Sequence, residues 1–210
     1  ALAASKLAAT VRLGRELSLE KVATQARAFG LSVGSGELLT RMLLGHDSVS
    51  LKEAVGAYSA ISRKGVLPGA LRYIERIENG EGEVVYEAPA PVKSGLKPAC
   101  DEITAYQIHD MLQESLADGN LKEEVSALSR QPFTGGVKTG TTHEFADGWC
   151  VGYNGKVAFG VWVGFHQGKK AIHENAFGRH LTFGPWAEVM NVAEESYPGI
   201  EIKLPEGLTP

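Results

Sequence analysis

Lys138-Thr139-Gly140-Thr141-Thr142 is the string in this sequence whose residue types can do chemistry together. A cation, three hydroxyls and a glycine follow the pair Gly135-Gly136, and the run predicts a β-strand over 136–142. On a sheet edge, small residues let a substrate backbone lie alongside and take ladder hydrogen bonds, while the lysine and two hydroxyls address a carboxylate. The competing reading is an ordinary Gly-rich edge strand with a solvated lysine. Other reactive side chains group less well. His143, His166, His173 and His180 are spaced by seven residues or more and give no i, i+4 metal pair, so they read as surface or loop residues, with no metal and no cofactor implied. Cys100 and Cys150 have no metal-ligand spacing; Cys150, inside Trp149-Cys150-Val151-Gly152-Tyr153, reads as a small buried hydrophobe. Glu123-Glu124 reads as a solvated helix face.

The elements that must position Lys138 follow from periodicity. In the first third, Leu2, Leu7, Val11, Leu13 and Leu17 mark an apolar helical face; Ser18 caps a second helix carrying Val22, Ala26 and Phe29, which Gly30 stops. A third helix is predicted from Ser50 to Lys64, with Leu51, Ala54, Val55, Tyr58 and Ile61 on one face and Gly65 as terminator. Tyr73, Ile74 and Ile77, then Asn79-Gly80-Glu81-Gly82, then Val84-Val85-Tyr86 predict a β-hairpin. A Pro-rich extended connector spans Ala88 to Gly95, and a helix from Thr104 to Asp118 turns Ile108, Met111, Leu112 and Leu116 inward. Two more strands, Gly148 to Tyr153 and Lys156 to Phe165, are joined by Asn154-Gly155 as a tight turn, and a last helix runs from Pro185 to Glu195 with Trp186, Val189, Met190 and Val192. Helices, an antiparallel meander and a packing helix describe an α+β fold: an antiparallel sheet packed with helices plus a helical lobe. The chain divides into a helical lobe (1–70), a hairpin and connector (71–95), and the Lys-Thr-Gly sheet with its flanking helices (96–210).

Composition narrows the function classes. With 210 residues, 43% hydrophobic and 22% charged, the chain can bury a core and is not disordered as a whole. A net charge of -4, from 21 basic and 25 acidic groups, argues against nucleic-acid binding, since no stripe of Lys and Arg supplies the phosphate contacts it needs. No apolar run approaches the ~18 residues of a membrane span, and no signal peptide opens the sequence; either the protein is cytosolic or its targeting segment lies outside this sequence. Glycine is in excess at 25 residues.

Several strings together resemble the C-terminal part of the transpeptidase domain of class A high-molecular-weight penicillin-binding proteins. Lys138-Thr139-Gly140 resembles the third motif of that superfamily. Leu44-Gly45 through Val49-Ser50-Leu51, with Ala57-Tyr58, resembles the family's LG-x-x-x-VS-L helix start. Asp147-Gly148-Trp149-Cys150-Val151-Gly152-Tyr153 resembles D-x-W-F-V-G-Y with Cys150 in place of Phe, and Gly184-Pro185-Trp186 resembles the start of its last helix. Ser5-Lys6-Leu7 resembles the second motif, Ser-x-Asn.

The resemblance implies a serine β-lactamase/penicillin-binding-protein-like fold and an acyl transfer. A serine attacks the D-Ala-D-Ala carbonyl of a peptidoglycan stem peptide and passes the acyl group to a neighbouring amine. On the matching positions, Lys138 holds the substrate carboxylate and tunes the proton shuttle, Ser5 relays a proton toward the leaving amine, and Thr139, Gly140, Thr141 and Thr142 bind substrate, with the Thr141 N–H as an oxyanion donor. β-Lactams are the implied inhibitors, a glycosyltransferase module the implied companion, and an extracytoplasmic, membrane-anchored setting the implied location. The sequence departs in two places. Leu7 stands where the family has asparagine, so either the motif has drifted or the site is impaired. The nucleophilic Ser-x-x-Lys is expected roughly fifty residues before Ser5, which places it upstream of this chain and makes the domain incomplete at its N-terminus. Of two internal Ser-x-x-Lys strings, Ser18 reads as an N-cap and Ser94 lies in the connector. A non-catalytic module that binds cell-wall peptide or a partner, and a D,D-carboxypeptidase or β-lactamase-like hydrolase, are the alternatives.

Overall fold

Ser18 separates two helices, α1 (Leu7–Leu17) and α2 (Leu19–Ala28), in the computed structural model, which describes residues 1–33, 36–90, 96–128, 134–167, 170–197 and 201–208. Its hydroxyl accepts the Lys21 N–H at 3.4 Å, the capping role its position predicts. The first helix departs from expectation. Leu7, Leu13 and Leu17 are exposed, and the buried residue is Gly14. The helix rests on the 3-10 turn Thr40–Leu44 by its glycine, so close that a Cβ on Gly14 would stand 2.6 Å from the Leu43 methyls.

Helix α3 (Leu51–Ser62) begins with a capping box in which Ser50 and Glu53 satisfy each other's backbone N–H groups. Hydrogen bonds from Ser32 and then Ser50 hold the Glu53 carboxyl at about 2, well below its ordinary 4.5. Next comes the predicted hairpin, β1 (Arg76–Glu78) and β2 (Val84–Glu87), whose turn is closed by the Asn79 side-chain Oδ1 accepting the N–H groups of Glu81 and Glu83. Its connector onward falls partly in residues 91–95, outside the described residues, and Ser94 with it.

Helix α4 (Glu102–Ala117) is capped by Asp101, which accepts the Thr104 N–H at 2.8 Å. Leu112 and Leu116 point inward as expected, but Met111 is exposed and His109 is buried in its stead. The cause is the helical period: 105, 109, 112 and 116 share a face, and 111 falls one residue off it. A short helix, α5 (Lys122–Ser126), follows.

The sheet is the antiparallel meander β3 (Gly136–Thr141), β4 (Asp147–Tyr153) and β5 (Ala158–Gly164), in that order. The β4–β5 connection differs from the expected two-residue turn. Tyr153 pairs with Ala158, leaving the four-residue loop 154–157, in which the buried Asn154 side chain accepts the N–H groups of Lys156 and Val157 at 2.8 and 2.7 Å. Neither Asn154 nor Gly155 has positive φ, which the tight turn would require.

Successive residues of β4 face opposite sides, so the sheet is covered twice. Helix α6 (Gly178–Ser196) packs one side, where Trp186 lies over Gly152, and α3 packs the other, where Leu51 and Val55 lie over Gly160. A Cβ on Gly152 would approach Trp186 to 2.3 Å, and one on Gly160 would approach Val55 to 2.7 Å. These strand glycines therefore make room for helices; at Gly140, by contrast, an added Cβ would meet only the Trp149 Cβ, at 3.6 Å, among the described residues. The core on the α6 side joins Val137, Cys150, Phe183, Trp186 and Met190 to Leu116 and Leu121; a second cluster joins Ile61, Leu112 and Tyr153. The architecture is α+β, as the element pattern predicts.

Helix α6 starts seven residues before the expected Pro185, which lies inside it. The early start has a tertiary cause. Its N-cap residue, Phe177, offers no side-chain bond, and the Gly178 N–H is accepted at 2.8 Å by the Thr141 hydroxyl at the end of β3.

Candidate functional site

The site is built around Lys138. It is half-buried near the middle of β3, and its ammonium reaches the Ser5 hydroxyl at 2.5 Å and the Thr139 carbonyl at 2.8 Å. Burial pushes its amine below the ordinary 10.5, opposed by the neighbouring Cys150. Lys138 is thereby poised to give up or share a proton with Ser5 more readily than a solvated lysine. Ser5, 133 positions away in sequence, sits in the left-handed region at φ 50° on a turn closed by bonds from its own N–H and that of Lys6 to Leu2 and Ala1. A side chain other than glycine in that region carries a backbone cost that the surrounding contacts must hold.

The backbone of β3 offers a second resource. No further strand pairs its outer edge among the described residues. Thr142 N donates to Asp147 O at 3.1 Å, so the alternation of an antiparallel ladder turns the N–H and C=O groups of Thr139 and Thr141 away from β4, toward that open edge. The side chains of these two threonines share one face of the strand and each is already held as an acceptor: Thr139 by the Asn120 amide at 3.3 Å, Thr141 by the Gly178 N–H at 2.8 Å. A hydroxyl that accepts from a fixed donor keeps its own proton free, directed to an anion. Thr142 also accepts, from the Asp147 N–H at 2.7 Å, but it lies one residue past the end of β3, off the face that Thr139 and Thr141 share, and shapes the turn into β4. A cation, two free hydroxyl protons and outward backbone groups on an edge strand can hold the carboxylate and backbone of a peptide.

Around this edge stand three supports. Trp149 pairs with Gly140 across the sheet and makes an edge contact with Trp162, whose indole N–H donates to Asp147 at 3.1 Å. Glu124, expected on a solvated face, is only 14% exposed and pairs with Arg179 at 2.9 Å, clasping α5 to the first turn of α6. The reason is the fold of the α4–α5 turn, which brings α5 against α6. Buried Cys150 has its thiol pushed up by desolvation, which keeps it protonated and unreactive. The remaining predicted position, Leu7, is the first residue of α1 and 62% exposed; it offers no polar group to Lys138. The four C-terminal histidines are exposed, and His180 lies 3.5 Å from Glu124. Asn120 and Glu124 were not legible as site residues, because nothing in Asp118-Gly119-Asn120 distinguishes it from any helix-ending turn.

No family model matches the chain. It is 27% identical over 209 residues to penicillin-binding protein 1A of Neisseria lactamica, covering 99% of this chain and 26% of that protein. It is 28% identical over 213 residues to penicillin-binding protein 2D of Bacillus subtilis strain 168, covering 100% of this chain and 29% of that protein. The chain thus spans little more than a quarter of the length of these curated relatives. Among solved structures, penicillin-binding protein 1A from Haemophilus influenzae superposes with a TM-score of 0.82 at 20% identity, over 98% of this chain and 35% of that one. The PonA1 protein from Mycobacterium tuberculosis, in complex with penicillin V, superposes with a TM-score of 0.73 at 18% identity, over 95% of this chain and 56% of that one. At those identities the likeness establishes the fold.

Proposed function

We propose that this chain, which is related to class A penicillin-binding proteins over 99% of its length, is the carboxylate-binding and proton-relay part of a peptidoglycan D,D-transpeptidase site. The observation that carries this reading is the contact of Lys138 with Ser5 at 2.5 Å, formed at a strand edge that no further strand pairs among the described residues. In this reading the D-alanyl carboxylate lies against Lys138, Thr139 and Thr141, and the Thr141 N–H meets the oxyanion. Ser5 and Lys138 carry the proton to the leaving amine. The attacking serine comes from upstream of Ala1. Ser18 caps α2, its hydroxyl accepting the Lys21 N–H, and this reading gives it no part in the attack. By itself the chain then binds but does not acylate. Peptidoglycan stem peptides are the substrates, β-lactams occupy the same edge, and a glycosyltransferase module shares the polypeptide. The protein works outside the cytoplasmic membrane. No helix among the described residues is long and apolar enough to cross a membrane, so the anchor in this reading lies outside the chain.

Exposed Leu7 favours one second reading, a non-catalytic module of the same fold that binds cell-wall peptide. The test is covalent labelling of the natural full-length protein by a fluorescent penicillin. The transpeptidase reading expects a gel-stable label, and Ser5→Ala is expected to slow labelling about 100-fold by removing the relay. A folded full-length protein that takes up no label would sink the enzyme reading in favour of the binding module.

A further inference from the structure

The α4–α5 turn reaches both halves of the site through one residue. The Asn120 backbone N–H donates to the Ala3 carbonyl at 3.1 Å, which ties the turn to the loop that carries Ser5. The turn comes so near this loop that a Cβ on Gly119 would stand 2.8 Å from the same carbonyl. From the same residue, the side-chain Nδ2 donates to the Thr139 hydroxyl at 3.3 Å, on the strand that carries Lys138. Its Oδ1 is buried and has no hydrogen-bond partner among the described residues. A buried amide oxygen left unpaired is costly, and here the cost goes with an orientation that makes Thr139 an acceptor. Turned over, the amide oxygen would instead take the Thr139 proton and leave an anion one donor short.

We propose that Asn120 is a positioning residue for carboxylate recognition, which acts through Thr139 by holding its hydroxyl as an acceptor so that its proton points to the ligand. This rests on the acyl-transfer reading of the site. It also assigns an amide to the site's periphery where Leu7 supplies none.

The experiment is a double-mutant cycle in the natural full-length protein, reading the second-order rate of labelling by a fluorescent penicillin together with the thermal midpoint. Asn120→Leu is expected to slow labelling about tenfold, because the Thr139 hydroxyl loses its fixed donor. Its midpoint is expected to stay level or rise, since the unpaired buried oxygen is gone. Asn120→Asp, an acceptor that claims the Thr139 proton, is expected to be slower still. In a Thr139→Val background, Asn120→Leu is expected to change nothing further. An equal tenfold loss in both backgrounds would overturn the assignment of Asn120 while leaving the acyl-transfer reading in place, and so would wild-type labelling by Asn120→Asp. An unlabelled wild type would overturn the acyl-transfer reading and, with it, this assignment.

Discussion

Lys138→Met in the full-length protein is expected to slow penicillin labelling by about a thousand-fold. The side chain is the point where three needs of the proposed reaction meet. It supplies the cation facing the ligand carboxylate, it bonds Ser5 at 2.5 Å, and it returns to its own strand through the Thr139 carbonyl at 2.8 Å. Methionine keeps the length and the apolar stem, so the packing of the stem survives while the cation and both hydrogen bonds go. Stability should move the other way, and its pH dependence identifies the cause. Burial lowers the amine below 10.5, so between its folded value and 10.5 the unfolded chain binds more protons than the folded one. Stability contributed by this group therefore rises with pH across that window, is complete above 10.5, and is lost as pH falls through the folded value. Chemical unfolding of wild type and Lys138→Met at several alkaline pH values should show that rise in the wild type alone. Wild-type labelling by the methionine variant would refute the role given to Lys138.

Gly178→Ala is expected to destabilise the fold by about 3 kcal/mol and to slow labelling with it. A Cβ at Gly178 would stand 1.9 Å from the Gly140 carbonyl oxygen and 3.1 Å from the Trp149 nitrogen. Both are sheet backbone, and neither can step aside as the end of a flexible side chain can. The helix would have to retreat, breaking the bond from Gly178 N–H to the Thr141 hydroxyl and loosening Phe183 and Trp186 from the core. Gly56→Ala provides the contrast. A Cβ there meets nothing within 4 Å on α3, so the same substitution should stabilise by about 0.5–1 kcal/mol through helix propensity alone. Equilibrium unfolding of both variants separates a backbone clash from a generic glycine effect; a Gly178→Ala midpoint at the wild-type value would refute the close approach.

The difference between these two glycines marks where sequence reading stops. Local signals carried far: Ser18 as a cap, the Asn79 turn, and the β3–β4–β5 meander around Lys138 are all written in short-range residue choice, whereas the helix expected from Thr104 begins two residues earlier, at Glu102, behind the cap Asp101. The Lys138–Ser5 contact spans 133 positions and has no local signature; only the family resemblance pointed to Ser5. Period errors cost His109 its place in the core in favour of Met111. The start of α6 could not be read from Gly184-Pro185, because the Thr141 hydroxyl supplies its cap from another element. Asn120 and Glu124 escaped for the same reason: each is an ordinary turn or helix residue whose role comes from what the chain brings opposite it.

Trp149 stands directly across from Gly140, in edge contact with Trp162, while Trp186, the third tryptophan, is sealed from solvent in the core. The indole pair places an intrinsic optical reporter next to the open strand edge: its emission is expected to respond to what lies along β3, against a background from Trp186. Occupancy of the proposed carboxylate-binding edge is thus expected to be measurable in the unlabelled chain, apart from any covalent step.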